Sequence, residues 1–111
     1  FGGKPHPRVY GSFPKVLATY VREENRLSLE MAVRKMTSLP ARSMGLSQKG
    51  IVRPGMDADL VVFDPEAVAS PATYDDPKQY PRGLSDVFVG GTAVVRDGET
   101  TGATPGETIR A

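Results

Sequence analysis

The chain has no cysteine and only one histidine. The first absence removes disulfides, thiolate nucleophiles and cysteine-based metal sites together. It fits a reducing compartment, and a cytoplasmic location is the expectation. The second is nearly as restrictive. His6 alone, without cysteine, cannot complete a zinc site, which takes three or four N, S or carboxylate ligands. Charge of neither sign dominates: 14 Lys and Arg stand against 13 Asp and Glu, for a formal net charge of +1. The basic residues are scattered rather than gathered into a stripe, so no nucleic-acid partner is expected. No apolar run reaches membrane-spanning length and the N-terminus has no signal-peptide pattern, so no membrane partner is expected either. The pairs Gly2-Gly3 and Gly90-Gly91 lack the spacing and the lysine of a phosphate loop. Internal repeats and low-complexity tracts are also missing.

What is present is compact in length. At 111 residues the chain is one small domain or a piece of a larger one. A globule of this mass buries roughly two-thirds of its unfolded surface, which allows a core but not a generous one. The chain opens on Phe1 rather than Met, and further sequence upstream is expected. Residues up to Gly11 form a Gly/Pro-rich loop. Ser12 can then accept a hydrogen bond from an unpaired backbone N–H, Pro14 suits a first turn, and Val16, Leu17, Tyr20 and Val21 share a helical face. This helix fades near Glu24 and Asn25. Ser28 is placed to cap a second helix, with Glu30 favourable beside the positive end of its dipole. Leu29, Ala32, Val33 and Met36 make its i, i+3, i+4, i+7 stripe. A third short helix is expected over Pro40–Met44, stopped by Gly45 in a left-handed conformation.

From Gly50 the period changes and β-branched residues take over. Strands are expected at Ile51–Arg53, Leu60–Phe63, Asp86–Val89 and Ala93–Arg96. Gly90-Gly91 suits a two-residue hairpin turn. Pro65 to Gly83 reads as a long loop, Gly98 to Gly106 as turn and loop, and Glu107–Arg110 as a last short strand. Helices first and strands after give an α+β fold, divided into residues 1–49 and 50–111. The helical stripes and few short strands need a surface to cover them. A missing body is the expected cover, and the isolated chain is expected to self-associate.

Several residues invite a chemical role. Asp57 and Asp59 resemble paired carboxylates, but an acidic turn residue and an acid satisfying backbone N–H groups at a strand's start explain them more simply. Arg8 carries a planar guanidinium that can hold a carboxylate through two parallel hydrogen bonds; the plainer alternative is a loop arginine tied to carbonyls or a surface acid. His6, between Pro5 and Pro7, reads as fixing loop geometry. Tyr10, Phe13, Tyr20 and Phe63 read as core or interface aromatics, while Tyr74 and Tyr80 lie in the long loop and suit the cover of a neighbouring surface. Glu23 and Glu24 read as a solvated helix end.

Two stretches carry a resemblance. Thr37–Leu46 leading into Gly50-Ile51-Val52-Arg53-Pro54-Gly55-Met56-Asp57-Ala58-Asp59-Leu60-Val61-Val62 is similar to the closing segment of metal-dependent amidohydrolases. The opening, Pro5-His6-Pro7-Arg8 followed by Phe13-Pro14-Lys15-Val16-Leu17, is more specific. It resembles the D-aminoacylase branch, the N-acyl-D-amino-acid deacylases. Leu29–Arg42, the loop from Phe63 to Ala69 and Tyr74–Pro77 follow the same pattern, so the resemblance spans essentially the whole chain.

The resemblance implies that residues 1–49 are loop and helices from the end of a TIM-like catalytic barrel and that 50–111 belong to a small terminal β-sandwich. It implies a zinc enzyme acting on the amide of N-acyl-D-amino acids. The zinc ligands and the catalytic aspartate are then expected upstream of Phe1, so this chain binds no metal and is inactive alone. Arg8 corresponds to the arginine that holds the substrate carboxylate, and His6 sits beside it at the rim as a second candidate for substrate contact. The rest of the longer chain is the expected partner. Two competing readings are a stand-alone, non-catalytic α+β interaction module and an amidohydrolase of cyclic amides; the His-Pro-Arg opening argues against the second.

Overall fold

The computed structural model describes residues 6–110, with the side chains of residues 8–10 outside that description. The expectations for Gly2-Gly3, for Pro5 and for the Tyr10 ring lie outside the described residues. The order of elements is helical first and β after, so the α+β expectation holds. Helix α1 spans Arg8–Lys15, with Pro7 as its N-cap residue. It starts earlier than Ser12, because Pro7 at φ −51° and ψ −28° already has helical geometry. Gly11 breaks it (φ −150°, ψ 24°). The segment that the sequence signals therefore begins just after the break, with Pro14 in its first turn, where a missing N–H costs nothing.

The helix then widens into a π-helical segment, Val16–Glu23. Its end is marked by a bond from the Glu24 N–H to the Thr19 carbonyl at 2.8 Å, five residues back. A wider turn rotates side chains away from the 100° spacing of an α-helix. Ala18 is accordingly buried with Leu17, while Tyr20, expected on the inner face, is exposed. Asn25 ends the segment at φ +51°.

Helix α2, Leu29–Met36, forms as its signals require. The Ser28 hydroxyl accepts the Met31 N–H at 3.1 Å, and Ala32 at the centre of the stripe is fully buried. Helix α3 spans Ser38–Ser43. It closes with Gly45 N–H to Arg42 O at 3.1 Å and Leu46 N–H to Ala41 O at 2.8 Å. That pair of bonds, with Gly45 at φ +71°, is a Schellman ending.

Four strands form one sheet in the order β1-β2-β3-β4: Leu60–Phe63, Leu84–Val89, Thr92–Arg96 and Glu99–Thr100. β2 and β3 pair antiparallel across the Gly90-Gly91 turn, with Val89 opposite Thr92 and a register shift between Val87 and Phe88. β3 and β4 pair antiparallel with Arg96 opposite Glu99. The turn between them is Asp97-Gly98 (φ 50° and 80°), a hairpin signal that the loop assignment from Gly98 onward passes over. Two expected strands are absent. Ile51–Arg53 is irregular and Val52 is 86% exposed, and Glu107–Arg110 is irregular too. β-branched residues alone do not make a strand without a neighbour to take their N–H and C=O groups.

The chain divides into two compact units. The first takes in the chain up to Ala32 together with Phe63–Leu84, and the second takes Val33–Val62 and the chain from Ser85 onward. Val68 anchors the first at full burial, and Ala41 is buried in the second.

Candidate positioning site around His6 and Arg8

The first unit brings the start of α1 against the long loop. His6 Nε2 and the Tyr74 hydroxyl lie 3.0 Å apart, though 68 residues separate them in sequence. Their rings meet edge to face, with centroids 4.9 Å apart and planes at 81°. Pro7 follows, and Arg8 opens α1.

The loop that carries Tyr74 is braced along its length. The Asp64 carboxylate accepts the Glu66 N–H at 2.9 Å, and the Asp64 carbonyl accepts the Val68 N–H at 2.8 Å. Ala69 and Arg82 exchange both backbone bonds, at 3.1 and 2.9 Å. At the tip, the Thr73 N–H donates to the Asp76 carbonyl at 3.1 Å and the Asp76 N–H to the Thr73 hydroxyl at 3.0 Å. Gln79 Nε2 donates to the carbonyls of Pro71 and Asp76 at 2.8 and 2.9 Å, and Pro77 is buried.

Two features seat this loop on the helices. Arg22 Nη1 donates to the Pro65 and Val68 carbonyls at 2.9 and 2.8 Å. Gly11, at the break in α1, comes so close to Ser70 that a Cβ there would lie 1.8 Å from the Ser70 hydroxyl. The loop thus meets the helical segment and the residue before it at three points, His6, Gly11 and Arg22.

The acidic pair lies in the second unit and has structural work. Lys49 Nζ contacts Asp57 at 3.0 Å and Asp59 at 2.6 Å. The other Asp59 oxygen accepts the Gly90 N–H of the β2–β3 turn at 2.9 Å. The hydrogen bond from Lys49, helped by that N–H, holds the Asp59 carboxyl below its ordinary value. The hydrogen bonds that Lys49 makes to Asp59 and, next, to Asp57 raise it above the ordinary lysine value. The two acids differ from the expected placement: Asp57 lies just past the Pro54-Gly55 turn, and the N–H that Asp59 satisfies belongs to the turn of the neighbouring hairpin rather than to its own strand. A cleft of about 280 Å³ nearby is lined by Ser38, Arg42, Ser47, Lys49, Ile51 and Met56.

Zinc chemistry does not fit the donors on view. Among the described residues no three His, Asp or Glu side chains come close enough to hold a metal. His6 faces a phenol, and Asp57 and Asp59 face an ammonium. Among the described residues no helix is long and apolar enough to cross a membrane. The site residues missed from sequence are Tyr74 as a partner of His6, Arg22 as the loop's tie and Lys49 as the bridge between the acids. A usable signal existed only for Tyr74, since Tyr74–Pro77 belongs to the same resemblance as the His-Pro-Arg opening.

With this geometry in view, the likeness to known proteins is specific. The chain belongs to the amidohydrolase family, whose model matches residues 3–101. An N-acyl-D-aspartate deacylase of Alcaligenes xylosoxydans xylosoxydans is 48% identical over 110 residues, 98% of this chain and 22% of that protein. A crystal structure of a D-aminoacylase matches with a TM-score of 0.87 at 48% identity, over 90% of this chain and 21% of that one. An N-acyl-D-glutamate deacylase from Bordetella bronchiseptica, solved with zinc and a phosphonate mimic of the tetrahedral intermediate, gives a TM-score of 0.81. It is 46% identical, over 87% of this chain and 21% of that chain. The resemblance to the deacylase branch is borne out. The chain spans about a fifth of the length of these relatives.

Proposed function

We propose that this chain is the C-terminal portion of a zinc-dependent amidohydrolase that hydrolyses the amide bond of N-acyl-D-amino acids. The observation that carries the reading is a match to a deacylase over 98% of the chain, with the His6-Pro7-Arg8 opening inside it. In the longer protein, residues 1–49 close the catalytic barrel and residues 50–111 close the small β-domain. The zinc, its ligands and the proton-transferring aspartate belong to the part of the protein before Phe1. What this chain supplies is position. The Arg8 guanidinium holds the substrate α-carboxylate by two parallel hydrogen bonds, which favours amino-acid-derived amides over plain ones. His6 shapes the turn that presents it. The absence of cysteine suits work in the cytoplasm.

The test is an assay of the full-length protein carrying this segment, with zinc, on N-acetyl-D-amino acids, their L-enantiomers and cyclic amides. Hydrolysis confined to the D-compounds is expected. Arg8→Ala is expected to lower kcat/KM about a hundredfold or more, since a charge-assisted bidentate contact to the substrate carboxylate is removed. Equal turnover by Arg8→Ala would remove the assigned role, and turnover of cyclic amides alone would replace the substrate class.

A further inference from the structure

His6 is exposed, and an exposed imidazole samples several rotamers unless something holds it. Here a hydroxyl at 3.0 Å and an edge-on ring do so, and both come from Tyr74. Tyr74 is 73% exposed, so its ring adds little to the core. Its own place is set by the braces on either side of it, the Thr73–Asp76 turn and the Gln79 amide. Between His6 and Arg8 stands Pro7, whose ring removes one soft dihedral and whose geometry is already helical. Fixing the His6 ring therefore anchors the backbone that runs through Pro7 into the first residue of α1, Arg8.

We propose that Tyr74 is a positioning residue for the His6-Pro7-Arg8 turn, acting through its hydroxyl on His6 and so on the backbone that carries Arg8. The phenol donates to Nε2 when the ring carries its proton on Nδ1, and Nε2–H donates to the phenol in the other tautomer. The proposal rests on Arg8 as the carboxylate ligand. It gives the long loop a part in substrate binding that exposure and composition alone do not assign.

The test uses the full-length zinc-loaded protein with Tyr74→Phe, Tyr74→Leu, Arg8→Lys and the Arg8→Lys/Tyr74→Phe double variant. Tyr74→Phe is expected to raise KM for an N-acetyl-D-amino acid about threefold to tenfold, the equivalent of one neutral hydrogen bond, with kcat and melting temperature nearly unchanged. Tyr74→Leu should match it. A merely structural role predicts the reverse, rescue by Phe and failure by Leu. The double variant should bind no worse than Arg8→Lys alone. Independently of turnover, the imidazole nitrogen signals lost in His6→Gln should shift in Tyr74→Phe. An unchanged KM, additive losses in the double variant or unmoved nitrogen signals would overturn the proposal. A wild-type protein that hydrolyses no N-acyl-D-amino acid would sink the reaction assignment instead, and the nitrogen signals would still decide whether Tyr74 holds His6.

Discussion

Arg22 reaches two carbonyl oxygens, Pro65 and Val68, with one guanidinium nitrogen, and does so from a half-buried position. Charge-assisted hydrogen bonds of this kind are each stronger than a neutral amide–carbonyl hydrogen bond, and removing the donor leaves two acceptors short of a partner. Arg22→Met keeps much of the apolar stem and removes the donors. It should destabilise the loop base by about 1–3 kcal/mol. Faster amide exchange at Val68 and Ala69 would report it; exchange at the wild-type rate would mean that water replaces the arginine without loss. The Lys49 bridge makes a different prediction, one of pH. Asp59 is held below its ordinary value, so its contribution is complete above the ordinary carboxylate range, near 4, and is lost as pH falls through the lower folded value. Lys49 is raised above 10.5, so its contribution is complete below 10.5 and is lost as pH rises through the higher folded value. Lys49→Met should flatten both the acid and the alkaline limb of a stability–pH curve. Asp59→Asn keeps an acceptor for the Gly90 N–H and should lose the pairing alone. A curve for Lys49→Met parallel to the wild type at both ends would show that solvent screens the bridge completely.

At the scale of elements, local signals were legible and distant ones were not. Ser28, the stripe on α2, the Gly45 ending of α3 and the Gly90-Gly91 hairpin all act within a few residues, and each forms as read. Ser28→Ala should accordingly cost about 1 kcal/mol of stability through loss of the Met31 N–H partner, measured by urea denaturation, and no change there would show that water caps α2 equally well. Asp97-Gly98 was equally local, and treating it as loop missed β4. The opposite error at Ile51–Arg53 shows the limit of composition, because pairing partners, not β-branched side chains, decide a strand. The π-helical segment escapes a reading at 100° per residue, and Tyr20, which such a reading puts on one face with Leu17, is exposed while Leu17 is buried. Of the candidate site, Arg8 and His6 were readable only through the resemblance, and Tyr74 lay too far along the chain for spacing to connect it. Gly83 shows the same dependence on distant contacts. At φ +77° its missing Cβ would lie 2.5 Å from the Val68 backbone nitrogen, an atom that cannot give way. Gly83→Ala should therefore cost about 2 kcal/mol or more, from left-handed strain plus overpacking. A melting temperature equal to the wild type would mean that the loop can shift as a body.

Over the whole chain, the balance of buried and exposed apolar groups bears on whether the segment can stand alone. Among the described residues the buried core side chains are Leu17, Ala18, Ala32, Ala41 and Val68, three of them alanines. Phe13 is 64% exposed and Val61 54%, and Met44 and Val62 are exposed as well. Val61 and Val62 lie on β1, which ends the sheet order and so presents an unpaired edge. Water-exposed aromatics and a bare apolar edge strand are what a chain offers when its natural neighbours are elsewhere, and both promote association. The segment spans about a fifth of the length of the relatives that it matches. Expressed by itself, the chain should therefore self-associate. Light scattering should give a mass that climbs above 11.9 kDa as concentration rises. Val61→Lys at the sheet edge and Phe13→Ser on α1 should each reduce the climb, the first by charging an edge and the second by removing an exposed ring. A mass fixed at the monomer value across the concentration range would mean that these apolar groups cover one another well enough in solution, and that the chain needs no further cover to stay apart from its copies.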